Sequence, residues 1–106
     1  SRPVPNFDFM EAERSADSTD FDRTVVCMHA APYSEQFNNN VAKVFNYYIH
    51  QFPGLMFCLD GHGHHTKQED LYGDGTIFYM AASSSFRQYY IFTITPNGYH
   101  YEIVDF

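Results

Sequence analysis

The sequence predicts a mixed α/β (α+β) domain in which a strand–helix–strand unit is followed by an antiparallel β meander. Three observations carry that reading. Thr24-Val25-Val26-Cys27-Met28 is continuous, apolar and β-branched, as expected of a strand covered on both faces. After Asn38-Asn39-Asn40 the apolar residues recur at helical spacing, and a second unbroken apolar run, Leu55-Met56-Phe57-Cys58-Leu59, follows directly. Beyond residue 75 come three aromatic and β-branched segments divided by turn residues.

Composition narrows the class. The chain has 106 residues, enough for one domain around one core. Aromatic residues make up 19% of it, while leucine occurs only at Leu55, Leu59 and Leu71, so the core must be built from rings, which suits sheets. With 6 Lys+Arg against 13 Asp+Glu the formal net charge is -7. That balance argues against nucleic acid or an anionic membrane as partner, since both select basic surfaces, and it favours divalent cations. No apolar run approaches the roughly 18 residues of a membrane span. No leader pattern is read at the start. The two cysteines, Cys27 and Cys58, lie inside the apolar runs and read as buried free thiols, which points to a reducing, cytoplasmic setting.

In chain order, residues 1–23 read as a lead-in whose upstream part is missing. Pro3 and Pro5 oppose regular structure, residues 10–16 form at most a short helix with a thin apolar face, and Asp17-Ser18-Thr19-Asp20 reads as a loop. The strand at 24–28 stops at His29-Ala30-Ala31-Pro32. The helix presents Val41, Val44, Phe45, Tyr48, Ile49 and Phe52 on one face and ends at Pro53-Gly54. A crossover of this kind makes its two strands parallel neighbours. Their carboxyl ends then share one edge, which sets His29 beside the tip Gly61-His62-Gly63-His64-His65. A polar loop follows, with Lys67-Gln68-Glu69-Asp70 and Gly73-Asp74-Gly75. The meander covers 76–82, 89–94 and 99–104. Taking Asn97-Gly98 as its last turn pairs Phe92 with Ile103, Ile94 with Tyr101 and Ile91 with Val104.

Three histidines just past buried strands are candidate metal ligands, because neutral imidazole is the commonest protein ligand for a cation. They are His29, His62 and His64. Asp60 is a candidate outer partner that orients an imidazole. His65, next to a ligand, turns elsewhere, into an outer shell or the substrate loop. His50 and His100 lie on other elements, and Cys27 and Cys58 sit within strands rather than at their tips.

Val25-Val26-Cys27-Met28-His29-Ala30-Ala31-Pro32, then a helix, then Leu59-Asp60-Gly61-His62-Gly63-His64, resembles the second half of a calcineurin-like metallophosphoesterase. Ala81-Ala82-Ser83-Ser84 and Gly98-Tyr99 are similar to that family's closing β meander. The resemblance implies that residues 24–106 form half of a metallophosphatase-type β-sandwich flanked by helices. It also implies a centre of two divalent ions (Mn, Fe or Zn), with His29 and His62 on one and His64 on the other. The implied reaction is hydrolysis of phosphomonoesters or phosphodiesters, on a small molecule or a protein. The family's first-half motifs, Asp-x-His, Gly-Asp-x-x-Asp and Gly-Asn-His, do not occur. Gly73-Asp74 is followed by Gly75-Thr76-Ile77, without a second aspartate. No catalytic residue is therefore carried over, and the chain alone is expected to be an inactive fragment. It is expected to self-associate or to stay with a missing N-terminal half, because the edge of the 24–28 strand would be open.

The competing class is a non-catalytic interaction or structural domain with vestigial histidines, using Tyr79, Tyr89, Tyr90, Tyr99 and Tyr101 as an interface. The two classes differ in what the loop histidines do. In the complete protein, His64→Ala is expected to lose one ligand and orders of magnitude in turnover. His65→Ala is expected to lose about tenfold at most, as for an outer partner of a metal site. Phosphoester turnover with metal content checks both; loss of metal from His65→Ala alone would shift the register of the loop by one residue.

Overall fold

A computed structural model describes residues 4–17 and 22–106, a mixed α/β fold with two helices and strands in two sheets. The elements in order are α1 (Phe7–Asp17), β1 (Thr24–Cys27), α2 (Ala42–Ile49), β2 (Leu55–Asp60), β3 (Lys67–Glu69), β4 (Phe78–Met80), β5 (Gln88–Thr95) and β6 (Gly98–Asp105). Pro3 and most of the expected loop Asp17-Ser18-Thr19-Asp20 lie outside the described residues.

The strand–helix–strand unit forms as the sequence predicts. β1 and β2 pair in parallel, with Val25 opposite Phe57, Val26 opposite Cys58 and Cys27 opposite Leu59. Because side chains alternate along a strand, β2 is covered on both sides. Cys58 points to the helical layer with Phe78, and that core also holds Ala31, Phe37, Ala42, Phe45 and Ile49. Phe57 points to the opposite layer.

The meander does not form as expected. Phe78–Met80 is not the first strand of an antiparallel run; it pairs in parallel with the other edge of β2, giving the order β1-β2-β4-β3. An aromatic strand flanking β2 buries Phe78 in the helical core and Tyr79 against the second layer, which an outer hairpin could not do. β3, inside the expected polar loop, pairs antiparallel with β4 and closes that edge. Only β5 and β6 form a hairpin, and its register differs by two residues from the Asn97-Gly98 reading. Thr95 faces Gly98, so Pro96-Asn97 are the turn, and Phe92 meets Tyr101, Ile94 meets Tyr99 and Ile91 meets Glu102. The Arg23 guanidinium fixes this turn by donating to the carbonyls of Thr95 (2.6 Å) and Pro96 (3.0 Å).

The hairpin lays Tyr90, Phe92, Tyr99 and Tyr101 onto Phe57 and Tyr79. Phe57 stacks on Phe92 with ring centres 4.5 Å apart, and the Tyr79 and Tyr99 hydroxyls share a 2.8 Å hydrogen bond. Of the tyrosines expected at a surface, Tyr79 is buried, Tyr90 and Tyr99 are half-buried, and Tyr89 and Tyr101 are exposed.

Two further expectations change. Val44 is 45% exposed, and the buried stripe of the helix is Ala42, Phe45 and Ile49. A 3-10 turn over Asn39–Val41, held by the Asn38 side chain accepting from the Asn40 N–H, precedes α2. Within α2, Val44 stands about 100° or more around the helix from each residue of that stripe, and so outside it. Cys27 is exposed while Cys58 is buried, because β1 is the edge of its sheet. The lead-in contributes more than a thin helix. α1 spans eleven residues, capped by the Asn6 side chain on the Phe9 N–H, and Phe7 and Met10 pack against the core. Among the described residues, no helix is long and apolar enough to cross a membrane.

Because Phe57 joins both layers through β2, Phe57→Ala is expected to cost about 3–5 kcal/mol, a large part of what a small domain has. Ile94→Ala, at a 51% exposed position of the hairpin, is expected to cost under about 1 kcal/mol. Urea unfolding of both variants measures the contrast.

Candidate metal centre

The parallel pairing of β1 and β2 brings both carboxyl ends to one edge, and main-chain hydrogen bonds continue the pairing beyond the strands. Met28 N–H donates to the Leu59 carbonyl at 2.9 Å. The His29 carbonyl then accepts two N–H groups, from Gly61 at 3.0 Å and His62 at 2.8 Å. This fork ties the strand-end histidine of β1 to the first histidine of the glycine-rich tip. Their rings stand edge to face, 5.2 Å between centres and 65° between planes. Of the histidines singled out in the sequence, His29 and His62 are brought together.

His64 takes a separate path. Its backbone is left-handed at φ 61°, its N–H donates to the Gly61 carbonyl at 3.2 Å, and its own carbonyl accepts from Ser83 N–H at 3.3 Å. At Gly63 the tip crosses the end of β4, where a Cβ would sit 2.6 Å from the Met80 sulfur, so a larger residue would have to displace that side chain. His65 packs against Phe86 at 5.3 Å, away from the pair. His50 lies at the carboxyl end of α2, with Nδ1 on the Asn46 carbonyl and Nε2 beside Thr76, and His100 is exposed on β6.

Sequence reasoning missed Glu35. Its Oε1 lies 3.2 Å from His62 Nε2. The turn that carries it is built tightly: Ser34 N–H donates to the Ala31 carbonyl, and the Asn39 side chain accepts from Tyr33 N–H and donates to the Ser34 carbonyl. One signal was available, since Glu35 is the only carboxylate between Asp22 and Asp60.

The donors present suit a small divalent cation. Two donors each about 2.1 Å from one ion stand about 3.0–3.4 Å apart across octahedral or tetrahedral angles, which brackets the His62–Glu35 spacing. Two ligating imidazoles at a tetrahedral angle have ring centres about 5 Å apart, as His29 and His62 do. Among the described residues, no three His, Cys, Asp or Glu side chains already converge as a finished cage, so His64 does not close a three-ligand set with the pair. No family model, curated protein or solved structure matches this chain.

Asp60 sits just inside the site, 6% exposed at the end of β2, and its Oδ1 is buried without a hydrogen-bond partner. That oxygen orients no imidazole. Burial pushes its carboxyl up to about 6; Glu69 adds to the rise and Lys67 opposes it. The folded value is above that of the unfolded chain, near 4. The proton is thus held more tightly in the folded state. Its stabilising effect is complete below about pH 4 and is lost as the pH rises through about 6. Asp60→Asn is accordingly expected to unfold at higher denaturant than the native protein at pH 7.5, by about 1–3 kcal/mol, with the gap closing at pH 4. Urea titrations at both pH values with a chelator present measure it; a variant weaker than the native protein at pH 7.5 would contradict the direction.

Proposed function

We propose that this chain is the carboxy-terminal portion of a metal-dependent phosphoesterase, half of a metallophosphatase-type sandwich that contributes His29, His62 and His64 to a two-ion centre. The observation that carries the reading is the double hydrogen bond of the His29 carbonyl to Gly61 and His62, which holds the backbones of the two histidines on adjacent strand tips, with their ring centres 5.2 Å apart. His29 and His62 hold one ion, and His64, set apart by its left-handed backbone, serves the second. An ion bound there supplies Lewis acidity toward a phosphoryl oxygen and acidifies water.

The chain's own residues bind and orient; none acts as general acid or base. The half-site requires a partner layer. β1 is an open sheet edge, bordered by an apolar groove of about 610 Å³ lined by Phe9, Met10, Val26, Met28, Phe37 and Phe52. Such an edge accepts another strand. The reading therefore includes association with the missing half, or with a second copy in its absence. The interaction-domain alternative loses part of its motive, because Tyr79, Tyr90 and Tyr99 are spent inside the aromatic layer.

Equilibrium dialysis of untagged protein against zinc and manganese, followed by elemental analysis, tests the reading. Bound metal near stoichiometric levels is expected, weakened at least about 100-fold in His62→Ala. A native protein that binds no more metal than His62→Ala would leave the histidines without this role.

A further inference from the structure

We infer that Glu35 is a cation ligand, completing with the imidazoles of His29 and His62 a two-histidine, one-carboxylate site for a divalent transition-metal ion. The inference rests on the reading that these strand tips bind metal, and adds a ligand that the sequence motifs do not include. Three observations carry it.

The first is distance. The Glu35 Oε1–His62 Nε2 separation of 3.2 Å falls within the range for two donors sharing one small cation. It is also hydrogen-bond distance, so either a proton or an ion can mediate between the two atoms.

The second is the construction of the turn. Tyr33 adopts φ 68°, a left-handed conformation that costs a non-glycine residue about 1 kcal/mol or more. Asn39 holds it there with one accepted and one donated hydrogen bond, while Ala31 and Pro32 anchor the turn in the core. Those bonds and the ring contact of Tyr33 with Tyr72 at 5.5 Å hold the turn that carries Glu35 beside His62.

The third is availability. The Glu35 side chain is 79% exposed, so its carboxylate can re-aim at little cost. His29 is exposed as well, so its ring is free to move toward the His62–Glu35 pair, as it must, because among the described residues no three such side chains already converge. Two neutral imidazoles and one carboxylate leave a bound dication with a residual charge of one, in a chain whose net charge is -7. This donor set suits zinc, iron(II) and manganese(II).

Calorimetric titration with Zn²⁺ and the visible spectrum of the Co²⁺ form test the assignment on the native chain, Glu35→Gln, Glu35→Asp and His100→Ala. Glu35→Gln keeps size and polarity at an exposed position, so folding is not at issue. The expected result is about 10- to 100-fold weaker zinc binding in Glu35→Gln, with an altered cobalt spectrum. Glu35→Asp is expected to recover part of the loss, and His100→Ala, at an exposed position of β6 outside the site, to bind within about threefold of native. Native affinity in Glu35→Gln would overturn the inference while leaving the metal reading in place. Weakened binding with an unchanged cobalt spectrum would also overturn it, making Glu35 a positioning residue. If the native chain binds neither ion, the inference and the metal reading both fall.

Discussion

The structure depends on β2 being buried on both faces. Leu55–Asp60 offers Cys58 to a layer built from α2 and Phe78, and Phe57 to a layer built from the hairpin. A strand with two apolar faces has to be sandwiched, and parallel neighbours on either side satisfy its backbone without exposing it. That requirement draws β4 out of the meander and leaves β1 and β3 as edges. The glycine–histidine tip grows directly from the carboxyl end of this strand.

Fixing the tip is different from fixing the side chains on it. The His29 carbonyl binds two N–H groups, so the backbones of His29 and His62 are held by bonds that no side chain has to supply. The rings beyond them meet edge to face, His62 also reaches Glu35, and His29 is exposed.

What could be read from the sequence follows the range of the forces involved. The apolar runs 24–28 and 55–59 and the helix between them are local patterns, and they yielded the parallel pair and the meeting of His29 with His62. The hairpin register was not local. Asn97-Gly98 has the composition of a tight turn, yet Arg23, more than seventy residues earlier, binds the carbonyls of Thr95 and Pro96 and the turn lies one residue back. The parallel placement of β4 was likewise decided by competition for the flank of β2, which strand propensity does not encode. Val44 was misjudged because it lies about 100° around the helix from Phe45, beyond the margin of the buried stripe. Glu35 was invisible to motif reasoning because its approach to His62 is set by a turn conformation, and nothing in Pro32-Tyr33-Ser34 announces a left-handed tyrosine.

Backbone strain supplies the last step. Among the described residues, three non-glycine residues have positive φ: Tyr33, His64 and Arg87. Arg87 follows the 3-10 turn Ser84–Phe86, where its N–H bonds Ser84 and its guanidinium stacks on Phe106, so the chain reversal there has a structural use. Tyr33 follows His29 by four residues, in the turn that carries Glu35, and His64 follows His62 by two. Neither position carries glycine, although Gly61 and Gly63 show that the tip accepts it. Unfavourable backbone conformations persist where the surroundings over-determine them, and they gather at functional sites. Here the hydrogen bonds of Asn39 and Ser83 perform that over-determination. Each of these two strained residues is held by its own hydrogen bonds, just beyond one imidazole of the pair in the chain.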